Sequence, residues 1–512
     1  MADARKACRT RPVSKRPGQN GEARIARMTG HPDRIAGAGA GAGVGAGAPA
    51  TGGDGSAERA AGAGIVAEPA MAEAFADRAA RAFPGWSGRP FRERRACLDR
   101  AAALLAARRD ALVQAMRAEV GIAARFAEMN VDLGVEMLEE AAALTSRVEG
   151  QTLPPGPDGT LSLCIRQPAG VVLAIAPWNA PVALGVRAVA LPLACGNTVI
   201  LKASDLCPGV HAMLGQIFAE AGCGDALQVL ASAPEASAMV VERLIARPEV
   251  RRVNFTGSTR VGRAVAEACG RRLKRCLLEL SSKSAALMLA DCDQAAAVDA
   301  VLHGAFLNGG QICMSTERLI LEAAIADAVV ARLAARAPEL AARPGWCDAA
   351  IGGEAARRLR GLVEDALARG AVLVAGSEHG GDPAAGPVIL DQVDASMRLH
   401  EEELFGPLLY IQRAADAEEA IALANGTDYG LVAAIYAGDT AQALAVARRL
   451  ETGICHINGT TVQDRAIVPF GGCKLSGFGR FGGMAGIEEF TELRWLTLPL
   501  PAAGTAAAWN DI

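Results

Sequence analysis

The stretch GVVLAIAPWNAPVALGVRAVALPLACGNTVILK, residues 170–202, decides the fold of this chain. Two short runs rich in β-branched and aliphatic residues, 171–176 and 198–202, flank a longer segment of helical character. Apolar runs of this length are typical of strands buried on both faces, as in a parallel sheet. Prolines and polar residues interrupt the stretch, so it does not predict a membrane span. We therefore expect a strand–helix–strand unit.

The same alternation continues along the chain. Further strands are predicted at 227–231, 252–255, 276–280, 285–289, 371–375 and 432–436, and helices at 98–121, 124–146, 355–369, 417–424 and 441–450. A turn is predicted at 83–86 and an extended arm or hairpin at 150–168. Strands that alternate with helices indicate the α/β class, with a parallel sheet covered on both faces and ligands at the carboxyl ends of its strands. We group the strands from 171 to 289 in one such sheet.

Length and composition exclude several classes of protein. A chain of 512 residues exceeds the size of a single core, so two or more domains are expected. A formal net charge of -4 gives no basic field for nucleic acid. The 13 cysteines include no Cys-x-x-Cys pair and no Cys/His ligand spacing, which predicts reduced thiols and no metal site. A cytoplasmic enzyme of small molecules is expected.

The N-terminal segment differs from the rest of the chain. It holds nine Lys or Arg before position 35, followed by a Gly/Ala alternation at 37–47. Such a segment buries too little apolar surface to offset its ordering entropy, so residues 1–63 are predicted to be disordered. A transit segment and a translation start placed too far upstream, with Met28 or Met71 as the alternative start, both remain open.

Cys313 is the leading candidate for a nucleophile. It follows a turn loosened by Gly309 and Gly310 and precedes a polar segment. The thiolate is the reactive form of cysteine, and it needs a helix N-terminus, a cation or a base nearby to form near neutral pH. Taken alone, a buried structural cysteine is the competing interpretation.

Five residues around this cysteine, Phe306, Asn308, Gly310, Gln311 and Cys313, resemble the F-x-N-x-G-Q-x-C signature of the NAD(P)-dependent aldehyde dehydrogenases. The resemblance implies a Rossmann-like cofactor domain, an α/β catalytic domain, a small β oligomerisation arm and an aldehyde substrate. It assigns 64–149 and 169–286 to the cofactor domain, 287–487 to the catalytic domain, and 150–168 and 488–512 to the arm and tail. A homodimer or homotetramer is implied, without contact to nucleic acid or membrane.

The resemblance also assigns the chemistry. Cys313 matches the nucleophile, Glu279 in the Leu-Glu-Leu-Ser-Ser-Lys segment matches the general base, and Asn179 matches the oxyanion donor. A preorganised donor of this kind contributes ~3 kcal/mol to the transition state, although an asparagine that bonds its own turn would look the same. Ser281 and Ser282 stand where the family has two glycines. We expect them to narrow or stiffen the site, which keeps a catalytically silent relative open.

The cofactor residues implied by the resemblance are Ala176, Pro177, Trp178, Lys202, Asp205, Ser258, Leu280, Glu403 and Phe405. Asp205 stands where the family usually has glutamate, and an acid here favours the free 2'-hydroxyl of NAD over NADP. The alternative is a surface Lys/Asp pair. Ser258 is predicted to cap a helix whose N-terminus attracts pyrophosphate. The literal G-x-G-x-x-G at 477–482 follows no predicted strand, so we do not interpret it as a nucleotide loop.

The finer resemblance concerns the substrate. Segments 178–187, 311–317 and 490–495 look like those of salicylaldehyde, vanillin and benzaldehyde dehydrogenases. Leu184, Arg187 and Phe470 are expected to line the pocket, with an ion pair as the alternative for Arg187. The implied reaction oxidises an aromatic aldehyde to the acid through a cysteine thiohemiacetal and thioester. A CoA-acylating enzyme is the rival, and the base Glu279 argues against it.

Overall fold

The computed structural model describes residues 71–154, 160–347, 352–376 and 381–499. The predicted disordered segment 1–63 and the last part of the predicted tail, 500–512, lie outside the described residues. The α-helices are α1 Ala72–Ser87, α2 Phe91–Ala107, α3 Arg109–Val120, α4 Ala124–Leu144, α5 Pro181–Ala194, α6 Pro208–Glu220, α7 Pro234–Ala246, α8 Thr259–Gly270, α9 Gln294–Phe306, α10 Ala323–Ala341, α11 Gly353–Ala368, α12 Arg398–Glu401, α13 Ala417–Asn425, α14 Thr440–Ala447 and α15 Gly483–Phe490.

The strands of the described residues form three main sheets and one two-stranded ladder. They are β1 Gln151–Leu153, β2 Leu161–Pro168, β3 Val171–Ile175, β4 Thr198–Lys202, β5 Leu227–Leu230, β6 Val250–Thr256, β7 Arg275–Glu279, β8 Ala285–Met288, β9 Arg318–Glu322, β10 Val372–Ala375, β11 Val388–Asp391, β12 Leu408–Ala414, β13 Tyr429–Gly430, β14 Val432–Tyr436, β15 Ile454–Ile457, β16 Cys473–Lys474, β17 Gly477–Phe478 and β18 Thr491–Leu498.

The first sheet has the strand order β17-β7-β6-β3-β4-β5 and confirms the predicted parallel architecture. All its pairs are parallel except the one between β17 and β7. β3 and β4 are buried at every position, as their unbroken apolar runs predict. The chain proceeds from β3 to β4 on one side and returns to β6 on the other. A crevice therefore opens between the carboxyl ends of β3 and β6.

The second sheet has the order β10-β11-β12-β9-β8-β14-β15 and is parallel except for β10. β8 pairs with β9 on one side and β14 on the other. Grouping this strand with the first sheet is therefore wrong. An apolar run indicates a buried strand but not which sheet it joins, because both sheets present the same pattern. The change from one sheet to the other occurs between Glu279 and Ala285.

The third sheet joins distant parts of the chain in the order β1-β2-β18. β1 and β2 form an antiparallel hairpin, which confirms the predicted extended arm, although residues 155–159 between them lie outside the described part. β18 pairs antiparallel with the whole of β2. The side chains of β18 are largely exposed, with Leu493 at 60% and Trp495 at 70%.

Two local predictions near the N-terminus are wrong. The predicted turn at 83–86 lies inside α1, because Pro84 removes a single N–H and Trp86 fastens the helix end by donating its Nε1 hydrogen to Leu193 O at 3.1 Å. The predicted helix 98–121 is divided between α2 and α3 at Arg108, whose φ of -101° and ψ of 16° leave the helical range. None of the helices in the described ranges is long and apolar enough to cross a membrane.

Candidate active site

The loop that carries Cys313 follows α9 and folds back sharply. Asn308, Gly309 and Gly310 all have positive φ, of 54°, 60° and 69°. Asparagine and glycine tolerate this left-handed conformation, and Asn308 also accepts a hydrogen bond from Ala123 N at 3.0 Å. A Cβ on Gly310 would lie 2.2 Å from Gly406 O, so only glycine fits there. The turn delivers Cys313, which remains partly exposed, to the first sheet.

Glu279 is the last residue of β7, and its side chain faces the Cys313 thiol. It is 1% exposed, and neither carboxylate oxygen has an ordinary hydrogen-bond partner among the described residues. Burial raises the pKa of Glu279 to about 7, while the thiol and the charge of Arg187 oppose the rise. Burial and the charge of Glu279 raise the pKa of Cys313 well above its ordinary value. The thiol is therefore protonated at rest, and the adjacent carboxylate, with a pKa near 7, is the group placed to accept a proton.

Asn179 lies just before α5, after the carboxyl end of β3. It is 5% exposed, and its Nδ2 donates to Gln311 O at 3.1 Å, two residues before Cys313. It does not bond its own turn. An amide nitrogen carries two hydrogens, so a second donor remains beside the nucleophile. The predicted thiol, base and oxyanion donor thus converge from three separate segments.

Ser281 and Ser282 are buried and hydrogen-bonded. The hydroxyl of Ser281 accepts from Thr259 N at 3.2 Å, at the first turn of α8. Ser282 donates its hydroxyl hydrogen to Cys313 O, and its backbone N donates to Glu403 Oε1 at 2.9 Å. The two side chains tie the base segment to the thiol loop and to α8. The hydroxyls that Ser281 and Ser282 add at the two family glycine positions are thus hydrogen-bonded.

The predicted nicotinamide-side residues, Glu403 and Phe405, lie against the same segment. Burial and the charge of Glu317 raise the pKa of Glu403 to about 7. The ring of Phe405 stands edge-on to Trp178, with 6.1 Å between centroids. Leu280, next to the base, donates its backbone N to Ser476 O at 3.0 Å. Glu403 thus lies beside the segment after β7, through Ser282, and Phe405 lies beside the segment after β3, through Trp178.

The crevice between β3 and β6 fits a dinucleotide. Residues 176–179 follow β3, and Ser258 follows β6 and caps α8 by accepting from Val261 N at 3.4 Å. A helix N-terminus at a topological switch point is a general site for a pyrophosphate. In α8 the first-turn N–H groups of Thr259 and Val261 already bond Ser281 and Ser258. At the end of β4, Lys202 forms an ion pair with Asp205, whose side chain is 25% exposed. Ala176 N donates to Lys202 O at 3.5 Å, which joins the two strand ends.

The glycine-rich segment 477–482 has a structural explanation. Gly477 and Phe478 form β17 and pair with Glu279 and Leu278. Gly477 has a φ of 107°, and a Cβ there would lie 2.0 Å from Leu278 O. The glycines therefore let a strand pass closely beside the catalytic base.

Arg187 and Phe470 meet as the sequence predicts, but the arginine has a partner that sequence reasoning missed. Its guanidinium lies 4.1 Å from the centre of the Phe470 ring and forms a buried ion pair with Asp464. Arg187 and Phe470 line one cavity together with Glu140 and Arg465. Leu184 is buried one turn before Arg187, and its place in the pocket stays a prediction.

No signal in the sequence identified Asp464. It lies between β15 and β16 in a segment without helical or strand periodicity, and only the three-dimensional contact identifies it. Glu317 was missed in a different way. It is one residue before β9, and its pairing with Lys283 at 2.8 Å joins the base segment to the second sheet.

The sequence profile of the aldehyde dehydrogenase family matches residues 59–496. The chain belongs to this family, which uses NAD or NADP and acts on small aldehydes.

Particular relatives narrow the comparison. The chain is 51% identical over 433 residues to the vanillin dehydrogenase of Pseudomonas fluorescens, covering 83% of this chain and 89% of the relative. Its fold matches the crystal structure of a salicylaldehyde dehydrogenase from Pseudomonas putida G7 complexed with salicylaldehyde, with a TM-score of 0.82, 41% identity, and 85% and 91% coverage. It also matches an E. coli NADP-dependent enzyme, with a TM-score of 0.80, 32% identity, and 85% and 91% coverage.

Proposed function

We propose that this enzyme oxidises an aromatic aldehyde to the carboxylic acid with NAD. The observation that carries the proposal is the convergence of Cys313, Glu279 and Asn179, with a base whose pKa is about 7 beside the thiol. The bound nicotinamide supplies the hydride acceptor. The remaining chemistry belongs to side chains of this chain.

The first half of the reaction forms the covalent adduct. Glu279 takes the proton of the Cys313 thiol, and the sulfur attacks the aldehyde carbon. The carbonyl oxygen becomes an alkoxide, which the Asn179 amide and the Cys313 N–H stabilise at ~3 kcal/mol per donor. Loss of hydride from this thiohemiacetal leaves a thioester on Cys313.

The second half hydrolyses the thioester. Glu279 first releases the thiol proton to solvent, then removes a proton from water, and the hydroxide adds to the acyl carbon. Collapse of the tetrahedral intermediate expels the Cys313 thiolate and releases the acid. A CoA-acylating reaction would need no such base. A silent relative is disfavoured because the Ser281 and Ser282 hydroxyls are accommodated by hydrogen bonds.

Two observations support an aromatic substrate. One cavity has an aromatic wall, Phe470, and the planar guanidinium of Arg187, whose charge acts on both Glu279 and Cys313. Relatives with high identity are named for vanillin and salicylaldehyde. The aldehyde is therefore attached to a ring, with salicylaldehyde, vanillin and benzaldehyde as the candidates.

The contacts of Lys202 and Asp205 support NAD over NADP. The lysine could otherwise attract a 2'-phosphate, but the ion pair with Asp205 neutralises its charge, and Asp205 would repel the phosphate. Comparison of kcat/KM with the two cofactors tests this choice. A ratio that favours NADP would reject it.

The three-stranded sheet is the candidate oligomerisation arm. Its exposed Leu493 and Trp495 are the large apolar side chains expected at a subunit contact. The first sheet then belongs to the cofactor domain and the second to the catalytic domain. Light scattering that gives the mass of a dimer or tetramer would support this role, and a monomer would contradict it.

The variant Cys313→Ala tests the whole assignment. It is expected to abolish NADH formation from benzaldehyde while binding of NAD survives, because only the covalent step needs sulfur. Cys455→Ala, at a second partly buried cysteine on β15, is the matched control and should stay active. Activity of Cys313→Ala above background contradicts the proposal.

Glu279→Gln tests the base that serves both halves of the reaction. The thiol can still lose its proton to solvent, so acylation should slow less than hydrolysis of the thioester. The amide cannot activate water, so turnover should fall by about 10²- to 10⁴-fold. Intact-mass analysis is expected to detect an acyl adduct on Cys313. Full turnover without an adduct would remove Glu279 as the base.

A further inference from the structure

The charge of Arg187 is already matched before any substrate arrives. The side chains of Arg187 and Asp464 are 6% and 8% exposed, and one guanidinium nitrogen donates to the Asp464 carboxylate. One face of the guanidinium lies on the Phe470 ring. Arg187 could attract an anionic substrate, but Asp464 already neutralises its charge.

Arg187 and Asp464 have opposite effects on the pKa values of the two reacting groups. Arg187 lowers the pKa of both Glu279 and Cys313, and Asp464 raises both. Such effects require proximity, since charges act strongly over a few ångströms in a buried site. The Arg187–Asp464 pair thus belongs to the electrostatic environment of the aldehyde.

The opening next to the pair is acidic. Among the described residues that line it, Glu136, Glu139, Glu140 and Asp464 are acids, and Arg465 is the base. Glu140 and Arg465 also line the cavity of Arg187 and Phe470, so the opening and the cavity adjoin. A negatively charged substrate would approach the neutralised arginine past like charges.

We propose that Asp464 is a specificity-determining residue that excludes aldehydes with a negatively charged ring substituent. By holding Arg187 in an ion pair, it keeps the guanidinium from binding a carboxylate and places a carboxylate of its own beside the substrate. The inference rests on the proposed function and deepens it. The substrates are uncharged aromatic aldehydes.

The first test uses the wild-type enzyme and a matched pair of substrates. 4-Formylbenzoate carries a carboxylate, and its methyl ester has the same ring without the charge; because the ester also withdraws electrons more strongly, the wild-type ratio is compared with that of Asp464→Asn in the second test. Because like charges in contact cost several kcal/mol, kcat/KM should favour the ester by about tenfold or more. Equal values for the two substrates would overturn the proposal without any variant.

The second test removes the charge of Asp464. In Asp464→Asn the amide oxygen still accepts from Arg187, but the arginine is no longer neutralised. The preference for the ester should shrink by about tenfold or reverse. Asp464→Glu retains the charge and should keep the preference. Asp132→Asn, which removes an exposed aspartate paired with Arg109, is the matched control and should leave it unchanged.

The outcomes separate this inference from the proposed function. A wild-type enzyme that oxidises neither benzaldehyde nor the ester would overturn both. An enzyme that oxidises benzaldehyde, but whose Asp464→Asn variant changes both formylbenzoate substrates by the same factor, would overturn the inference alone. If Asp464→Asn is insoluble, the ratio of kcat/KM for the ester to that for 4-formylbenzoate, measured in the wild type and in Asp464→Glu, still tests the inference.

Discussion

Two buried ion pairs flank the active site, and they differ in how completely their atoms are bonded. Lys283 pairs with Glu317 at 2.8 Å and also donates to Glu402 O at 2.6 Å, while Glu317 accepts from Leu404 N and Phe405 N. In the second pair, Arg187 instead lines a cavity and Asp464 lines the adjoining opening. Burial alone therefore does not identify a functional charge. The Lys283–Glu317 pair, which is enclosed by backbone groups, stabilises the fold. The Arg187–Asp464 pair, which borders open space, can act on a ligand.

The largest expected effect concerns the enclosed pair. Lys283→Met should lower the free energy of unfolding by about 3–5 kcal/mol, because it leaves Glu317 as an uncompensated buried charge. Urea unfolding followed by circular dichroism measures the loss. The double variant Lys283→Met, Glu317→Leu should regain part of it. An unchanged unfolding midpoint in the single variant would show that the pair does not support the fold.

A smaller effect is expected at the open pair. Arg187→Met should reduce kcat/KM for hydroxylated benzaldehydes more than for a short aliphatic aldehyde, by about 2- to 30-fold, since cation–π contacts contribute ~0.5–2 kcal/mol. Initial rates of NADH formation measure the difference. Equal losses on both classes of substrate would make Arg187 structural, like Lys283.

Ser282 links the two regions, because it precedes Lys283 and bonds the carbonyl of Cys313. Ser282→Gly removes that bond and should reduce kcat by about 2- to 12-fold, the equivalent of ~0.5–1.5 kcal/mol. Ser284→Gly, which removes a hydroxyl that bonds Ser282 at 3.1 Å but not the thiol loop, is the control. If Ser282→Gly were faster than the wild type, the bond from Ser282 would hold the Cys313 loop in a conformation that slows the reaction.

The smallest effect is a displacement of the pH profile. Glu279 acts in its ionised form, so kcat/KM, which reports the free enzyme, should rise with pH through about 7, where its carboxyl titrates. Asp464 raises this pKa, and Asp464→Asn should therefore move the midpoint to lower pH. Lys283→Arg should leave it in place. If the midpoint of the pH profile moved in Lys283→Arg but not in Asp464→Asn, the Lys283–Glu317 pair, and not the Arg187–Asp464 pair, would be the one that acts on Glu279.

The sequence was most informative where chemistry requires a fixed residue type. Cys313, Glu279 and Asn179 were identified by motif, and Glu279 and Asn179 end or follow a strand that the sequence predicts. Among the predicted strands the error was the grouping of β8, which has the same apolar pattern as β7. The strands β9, β11, β12 and β15 were not predicted. The helix through Pro84 was missed because its stability comes from a tertiary contact of Trp86.

Partners within the site were not predictable in the same way. Asp464 is one of many acids in loops, and nothing local distinguishes it from an exposed one. Its role depends on a contact with Arg187, which lies in a different part of the chain. The hydroxyls of Ser281 and Ser282 were recognised as unusual, but their bonding depends on α8 and the thiol loop. Sequence motifs predict the reacting groups. The residues that neutralise a charge or hold a loop by hydrogen bonds are found only from the three-dimensional structure.

The arm sheet has a consequence for synthesis. β2 pairs along its whole length with β18, which lies far behind it in the chain and is synthesised much later. Until then β2 presents an unpaired edge to other nascent chains, and exposed edges template aggregation. Synthesis of β18 is thus the event that pairs this edge, so a chain truncated before residue 491 should be captured by chaperones or precipitate even though the residues of its catalytic centre are already present.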